Sequence, residues 1–159
     1  MKYYLTNTSV YTSIYHIDFE GDIMTTGSFR NCGNMKGAVA ISNGAPDFFR
    51  GPRYKLVAPR WDMLRMPREE YDREFDFILA RLDPEEVYRD LVALGGEDAI
   101  LLCWEKPNTW CHRRRIAEWL ENSLTGVVIS EYGFERSQVY PYYGPPPQQE
   151  EIKKQLELF

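Results

Sequence analysis

The sequence predicts a single α/β domain built on a mainly parallel, Rossmann-like sheet with helices on its faces. Apolar runs at residues 37–42, 99–103 and 126–130 have the length and composition of buried strands. Helical segments lie between the later runs, and a strand–helix–strand order is typical of parallel sheets. The 159 residues fit one domain that buries its own core. We therefore predict a domain at residues 1–143 and a flexible tail at residues 144–159.

The first half of the chain contains two predicted strands and a long loop. Residues 2–6 are rich in residue types that favour extended structure. The run at residues 37–42 ends at an Asn-Gly pair, which is typical of a buried strand followed by a turn. Four prolines between residues 45 and 67 predict a long ordered loop, and loops of this length inside a domain often carry function.

The second half alternates helices and strands. Apolar residues recur every three or four positions over residues 70–81, which predicts a helix with one buried face. Residues 83–86, Asp-Pro-Glu-Glu, have the capping acid, the first-turn proline and the carboxylates of a helix start. That helix should end at the glycine pair 95–96. A third helix, capped by Asn108 or Thr109, joins the last two strands.

Composition and charge narrow the classes of function. The net charge of −5 argues against a protein that coats nucleic acid by bulk electrostatics. Residues 50–68 nevertheless hold six basic residues, one acid and interleaved aromatics, which suits either a phosphate backbone with unstacked bases or a solvated loop. No apolar segment is long enough for a signal peptide or a membrane span, and three cysteines make a poor disulfide framework. We expect a cytoplasmic protein without a membrane partner.

The residues best suited to chemistry surround the end of the predicted strand at 99–103. Cys103 is its last residue, Glu105 follows in the loop, and Cys111-His112-Arg113 leads into the next helix. In open α/β sheets ligands bind beyond the carboxyl ends of strands, and a helix start attracts anions. A thiol there, beside arginines, should be partly thiolate. The predicted catalytic residues are Cys103, Glu105, Cys111 and His112. Alternatively, both cysteines are core residues and Glu105 pairs with an arginine.

Contacts to a phosphate or substrate are expected at the same edge of the sheet. Arg113 is the predicted phosphate clamp, and Asn43, Arg53 and Arg60 are candidate contacts because their loop should reach this edge. A Walker or dinucleotide fingerprint is absent from the sequence. A phosphatase-like loop would need an arginine at the position that Thr109 occupies.

Metal binding by the same four residues is an open alternative. The sequence has no Cys-x-x-Cys pair, and the adjacent side chains of Cys111 and His112 should point apart on a helix. We therefore predict no metal and no other cofactor, and we keep a divalent ion at Cys103, Glu105, Cys111 and His112 as the alternative.

Residues 100–106, ILLCWEK, followed by Cys-His-Arg at 111–113 and an amphipathic helix, resemble the signature of the domain-of-unknown-function family numbered 488. Members of that family carry a similar apolar strand ending in Cys-x-Glu, then Cys-His-Arg, and the match runs from residue 99 to about residue 132. The resemblance implies an α/β fold and a site made of Cys103, Glu105, Cys111, His112 and Arg113. The chain departs from the family pattern in an insertion-like stretch around residues 16–34, where Cys32 is expected to be a loop thiol.

The last five residues look like the peptide by which bacterial replication and repair proteins dock on the DNA sliding clamp. Leu156, Leu158 and Phe159 would fill apolar pockets of the clamp, and Gln155 would make polar contacts. A Pro-Pro-Pro spacer precedes the peptide. Alternatively, this segment is a last helical turn that folds back on the domain.

Taken with the tail, the site favours an enzyme, a hydrolase or a transferase, that acts on a nucleotide or DNA in a bacterial or phage cytoplasm. Glu105 would serve as general acid, general base or nucleophile, and a cysteine would supply a second nucleophile. Two alternatives stay open. One is a non-catalytic nucleic-acid-binding adaptor recruited to the sliding clamp, and the other is a metal- or redox-dependent thiol protein.

Overall fold

A computed structural model of the protein describes residues 23–139. Its α-helices and β-strands, in chain order, are β1 Thr25–Ser28, α1 Phe29–Cys32, β2 Ala38–Ala40, α2 Arg68–Ala80, α3 Pro84–Gly95, β3 Ile100–Cys103, α4 His112–Ser123 and β4 Ser130–Glu131, and short 3-10 helices lie at Lys55–Val57, Trp61–Arg65 and Arg136–Gln138. Within this part of the chain the strands form one all-parallel sheet in the order β2-β3-β1-β4. The predicted α/β class with a parallel sheet and flanking helices is therefore confirmed.

The two faces of the sheet bury separate cores, because side chains alternate in direction along a strand. On one face Val39 and Leu101 pack with residues of α2, α3 and α4. On the other face Ala38, Ile100 and Leu102 pack with α1 and the loop after β2. Coverage on both sides explains why β3 is one continuous apolar run.

β1 is a strand that the sequence analysis missed. Its residues, Thr-Thr-Gly-Ser, form no apolar run, yet the strand lies between β3 and β4 in the sheet, with Thr26 and Ser28 buried. Gly27 is needed because a Cβ atom there would lie 2.9 Å from the sulfur of Cys32. Cys32 itself is not a loop thiol: it ends α1 and is buried. The described part of the insertion-like stretch is thus a core strand and a short helix.

The start of α3 lies where its capping residues predict, whereas the start of α4 does not. Asp83 caps α3 as predicted, since its carboxylate accepts hydrogen bonds from the first-turn N–H groups. α4 begins later than predicted, with Cys111 as its N-cap. Asn108 has a positive φ of 54°, and Thr109 donates its hydroxyl to the carbonyl of Lys106, so both belong to the preceding turn.

Of three further predictions, one is confirmed only in part, and two concern residues that the structure does not describe. β4 covers only the end of the predicted strand at 126–130, and residues 127–129 have no regular structure. The predicted strand at 2–6 and the tail peptide at 155–159 lie outside the described residues. Among residues 23–139 no helix combines the length and the apolar character needed to cross a lipid bilayer.

Candidate functional site

The carboxyl edge of the sheet carries Cys103, Glu105, Cys111 and His112, called here the four-donor cluster. Cys103 ends β3, Glu105 lies in the following loop, and Cys111 and His112 begin α4. Two sulfurs, a carboxylate oxygen and an imidazole nitrogen from these residues all lie within 4.8 Å of one another. The structure therefore brings together the four residues that the sequence analysis selected, and their catalytic roles stay predictions.

The convergence of neighbouring Cys111 and His112 corrects one expectation. Inside a helix, as predicted for both residues, adjacent side chains would point apart. Cys111 instead has an extended backbone, with φ −162° and ψ 150°, because it is the N-cap. Its side chain thus escapes the helical spacing and reaches the same point as the imidazole. The geometric objection to a shared ligand set is therefore wrong.

Glu105 joins the two cysteines of the cluster. Its Oε2 accepts hydrogen bonds from the thiols of Cys103 and Cys111, each at 3.1 Å. The two sulfurs are also in contact, but the Cα atoms of the cysteines are 7.9 Å apart. Disulfides usually join Cα atoms about 4.4 to 6.8 Å apart. The backbone spacing therefore fits two separate thiols that face one point rather than a disulfide.

His112 is held in one orientation and one tautomer. Its buried ring donates Nε2–H to the carbonyl of Ile41 at 2.9 Å, because a carbonyl oxygen can only accept. Nδ1 therefore keeps its lone pair and lies 3.6 Å from the sulfur of Cys111. Burial lowers the pKa of His112 to about 4, so the ring is neutral at pH 7. Nδ1 is available as a base or as a ligand.

Arg113 lies behind the cluster, fully buried, and does not line the cleft described below. Its guanidinium donates to the sulfur of Cys103 at 2.9 Å and to the carbonyls of Glu105 and Lys106 at 3.1 and 2.6 Å. It also pairs with Glu131 at 2.8 Å. These contacts fix the loop after β3 and place positive charge beside a cluster sulfur. The predicted phosphate contact stays a prediction, and this geometry favours a positioning role.

Glu131, the last residue of β4, is a residue of this region that the sequence analysis missed. Its buried carboxylate accepts hydrogen bonds from Arg113, from the hydroxyl of Thr26 and from the N–H of Asn108. Burial alone would raise the pKa of Glu131, but the hydrogen bonds and charge of Arg113 hold it below its ordinary value. A signal was present in the sequence, because this acid follows directly on the apolar run at 126–130.

A cleft of about 590 Å³ opens onto the cluster, and Glu105, Cys111 and His112 line it. Aromatic and apolar side chains make most of its wall: Trp61, Met63, Leu64, Met66, Tyr71, Trp104 and Trp110. Trp61 and Trp104 are 67% and 57% exposed, so a large part of each side chain is accessible. The volume and the apolar wall with a few convergent polar groups are typical of a small-ligand site.

The basic and polar residues predicted as ligand contacts lie in different places. Asn43 lines the cleft, and its side-chain amide donates to the carbonyl of Pro59. Arg53 and Arg60 are exposed and do not line it, and Arg60 pairs with two acids. Arg68 does line the cleft, with its guanidinium 5.2 Å from the ring centre of Trp110. The basic stretch thus contributes one arginine to this wall among the described residues, and contacts by Arg53 and Arg60 stay predictions.

Comparisons of the chain with protein-family models, with characterised proteins and with solved structures found no match. The resemblance to family 488 therefore depends on the residues quoted for it and stays a prediction. The predicted partner-binding residues Gln155, Leu156, Leu158 and Phe159 lie outside the residues described.

Proposed function

We propose that the protein is an enzyme that binds a nucleotide, free or as part of DNA, in the aromatic cleft and acts on it with the four-donor cluster. The observation that carries this proposal is the composition of one cleft. Glu105, Cys111 and His112 line the same space as exposed tryptophan rings and an arginine. Reactive groups and a stacking surface therefore meet at the carboxyl edge of a parallel sheet, where α/β proteins bind their ligands.

The wall of the cleft suits a nucleobase attached to a phosphate. Stacking of a base on an aromatic side chain contributes about 1 to 3 kcal/mol, and any base offers a suitable ring face. The exposed side chains of Trp61 and Trp104 are available for such stacking. Arg68 supplies a positive charge in the same cleft, and the start of α4 adds the partial positive charge of a helix N-terminus.

The cluster offers proton transfer beside an attacking group. Glu105 is exposed to the cleft and contacts both thiols, so it is the best placed general acid or base. The attacking group is the Cys111 sulfur or a water molecule held by the cluster. Glu105 accepts the proton that the thiol or the water gives up and passes it to the leaving group as the bond between the nucleotide and the leaving group breaks. Cys103 does not line the cleft and is tied to Arg113, which favours a supporting role.

The geometry of the cluster and the cleft also bears on the alternative functions. A thiol–disulfide switch would use the contact between the two sulfurs, but the Cα separation of 7.9 Å lies outside the usual range of a disulfide, which disfavours it. A nucleic-acid-binding adaptor would stack its ligand on the same rings but would not convert that ligand to a product. Recruitment to a sliding clamp depends on residues 155–159 and stays a prediction.

The proposal is tested by binding and turnover measured on the same variants. Nucleoside mono-, di- and triphosphates and a short single-stranded oligonucleotide are titrated by calorimetry, and reaction products are then identified by mass spectrometry. Trp61→Ala should weaken binding about tenfold, which corresponds to roughly 1.4 kcal/mol of lost stacking. Glu105→Gln should bind normally but lose at least about 100-fold in turnover.

The control for the tryptophan variant is Phe77→Ala, which removes another exposed aromatic ring, on α2 and outside the cleft. It should change neither binding nor turnover. Binding without turnover by the unmodified protein would favour the adaptor. Absence of binding to any nucleotide or oligonucleotide would refute the proposal.

A further inference from the structure

We propose that the four-donor cluster is a zinc site. The sulfurs of Cys103 and Cys111 and Nδ1 of His112 hold the ion, and the carboxylate of Glu105 takes the fourth position on the side of the cleft. This inference goes beyond the proposed function and does not depend on it, because metal content is measured with no nucleotide present.

The kind and number of donors suit zinc. Two thiolates, one imidazole and one carboxylate all belong to the ligand types that Zn²⁺ binds in a tetrahedral arrangement. Bonds of about 2.0 to 2.3 Å separate the donors of such a site by roughly 3.3 to 3.8 Å. The four donors of the cluster lie within 4.8 Å of one another, and the two sulfurs, now in contact, would move apart by about 1 Å or more as an ion enters.

The surroundings of the donors match those of a metal ligand set. The Nε2–H of His112 donates to the carbonyl of Ile41 at 2.9 Å, which aims the lone pair of Nδ1 at the cluster. Metal-binding histidines are almost always held in this way by their second nitrogen. The sulfur of Cys103 accepts an N–H from Arg113 at 2.9 Å, a charge-assisted contact that fixes this sulfur at the cluster.

The backbone spacing of the cysteines favours an ion between the sulfurs over a bond between them. Their Cα atoms are 7.9 Å apart, beyond the usual range of a disulfide, although both side chains point at each other. An ion bound by both sulfurs would hold them farther apart than their present contact, which the wide Cα spacing accommodates better than it accommodates a disulfide.

Exposure divides the four donors into a holding set and an exchangeable ligand. Cys103, Cys111 and His112 are 0%, 1% and 6% exposed, whereas Glu105 is exposed to the cleft. Catalytic zinc sites have this arrangement, with three protein ligands and a fourth position open to water or substrate. With zinc bound by Cys103, Cys111 and His112, the ion would activate a water molecule in the fourth position. Glu105 would then accept one proton from that water as its oxygen bonds to the substrate, and pass the proton to the leaving group as the bond between substrate and leaving group breaks.

The test is the metal content and the cobalt spectrum of the untagged full chain. Mass spectrometry of the purified protein should find about one zinc ion per chain. After removal of zinc with a chelator, Co²⁺ should produce a sulfur-to-cobalt charge-transfer band in the near ultraviolet and the strong visible bands of a tetrahedral site. Added zinc should abolish both.

The same cysteine-to-alanine substitution at three positions separates the proposed zinc ligands from a control cysteine. Cys103→Ala and Cys111→Ala should lose stoichiometric zinc. Cys32→Ala should keep it, because that buried thiol lies on the other face of the sheet with the α1 core. Glu105→Ala should keep zinc with at least about tenfold weaker affinity in a chelator competition, since three ligands persist.

Two results would overturn the zinc proposal. One is unmodified protein that contains no zinc and gives no sulfur-to-cobalt band, and the other is a Cys111→Ala variant that retains full zinc. If the cysteine variants fail to fold, the cobalt spectrum of the unmodified chain decides alone. The zinc proposal and the nucleotide proposal fail separately, since Trp61→Ala should bind nucleotide about tenfold more weakly and keep its zinc.

Discussion

Glu131→Gln is the substitution for which the structure gives the clearest expectation. The carboxylate and the guanidinium of Arg113 are both fully buried, with Oε1 and Nη2 2.8 Å apart. The amide that replaces the carboxylate carries no charge. Its N–H groups would face groups that now donate hydrogen bonds to Glu131, including the hydroxyl of Thr26. The variant therefore leaves the buried charge of Arg113 without its counter-ion.

Removing one partner of a buried ion pair typically lowers the free energy of unfolding by about 3 to 5 kcal/mol, and we expect a loss of this size for Glu131→Gln. That is a large share of the roughly 5 to 15 kcal/mol that holds a typical protein folded. With about 2 to 4 °C for each kcal/mol in a chain of this size, the melting temperature should fall by about 6 to 20 °C.

Urea unfolding followed by circular dichroism measures the free energy, and a thermal scan measures the midpoint. The matched control is Glu97→Gln, the same chemical change at an exposed loop position, which should cost no more than about 0.5 kcal/mol. If Glu131→Gln cost less than about 1 kcal/mol, the account of Glu131 as the buried counter-ion of Arg113 would be wrong.

Three further predictions follow from other features. The folded-state pKa of Glu131 lies below its ordinary value of 4.5, so its stabilising contribution is present above pH 4.5 and is lost as the pH falls through the lower folded-state value. Urea titrations across the acid range should therefore show a shallower loss of stability for Glu131→Gln than for the unmodified protein, and parallel curves would contradict this. Gly27→Ala should lower the free energy of unfolding by about 1 to 3 kcal/mol, because the added Cβ lies 2.9 Å from the Cys32 sulfur. The double variant with Cys32→Ala should recover part of that loss, and an unchanged cost would point to a cause other than this contact. The unmodified protein should bind a bacterial sliding clamp with a Kd on the order of micromolar. Deletion of residues 155–159 should abolish this binding and leave the melting temperature nearly unchanged. A large drop in stability would mean that these residues belong to the core.

Much of the sheet edge could be predicted because its signals are local. The apolar run of β3 requires burial on both faces, and Asp83 with the following proline marks a helix start wherever it occurs. Cys103 and Glu105 follow from position alone, since the end of a parallel strand is where α/β proteins gather their functional groups.

β1 and Glu131 were missed for a shared physical reason. Thr26 is a polar residue in the middle of the sheet, and burial is tolerated because its hydroxyl donates to the carboxylate of Glu131, 105 positions away. That carboxylate in turn needs Arg113. The position of Glu131 after an apolar run is a sequence signal, but only the assembled fold shows that Thr26, Glu131 and Arg113 satisfy one another.

The aromatic wall of the cleft could not be predicted for a different reason. Trp61 comes from the 3-10 helix at Trp61–Arg65, Tyr71 from α2, and Trp104 and Trp110 from the loop between β3 and α4. No local pattern unites side chains from such separate segments. The start of α4 was misplaced because Asn108 and Thr109, both good capping residues, are used in the turn before it.

The central claim is that a nucleotide binds in the aromatic cleft with its reacting atom at the four-donor cluster. A crystal structure of the Glu105→Gln variant with a nucleotide that the unmodified protein converts tests this most directly. We expect the base to stack on Trp61 or Trp104 and the reacting atom to lie within about 3.5 Å of the residue 105 side chain or of the Cys111 sulfur. A nucleotide bound elsewhere on the protein, with the cleft left empty, would contradict the account.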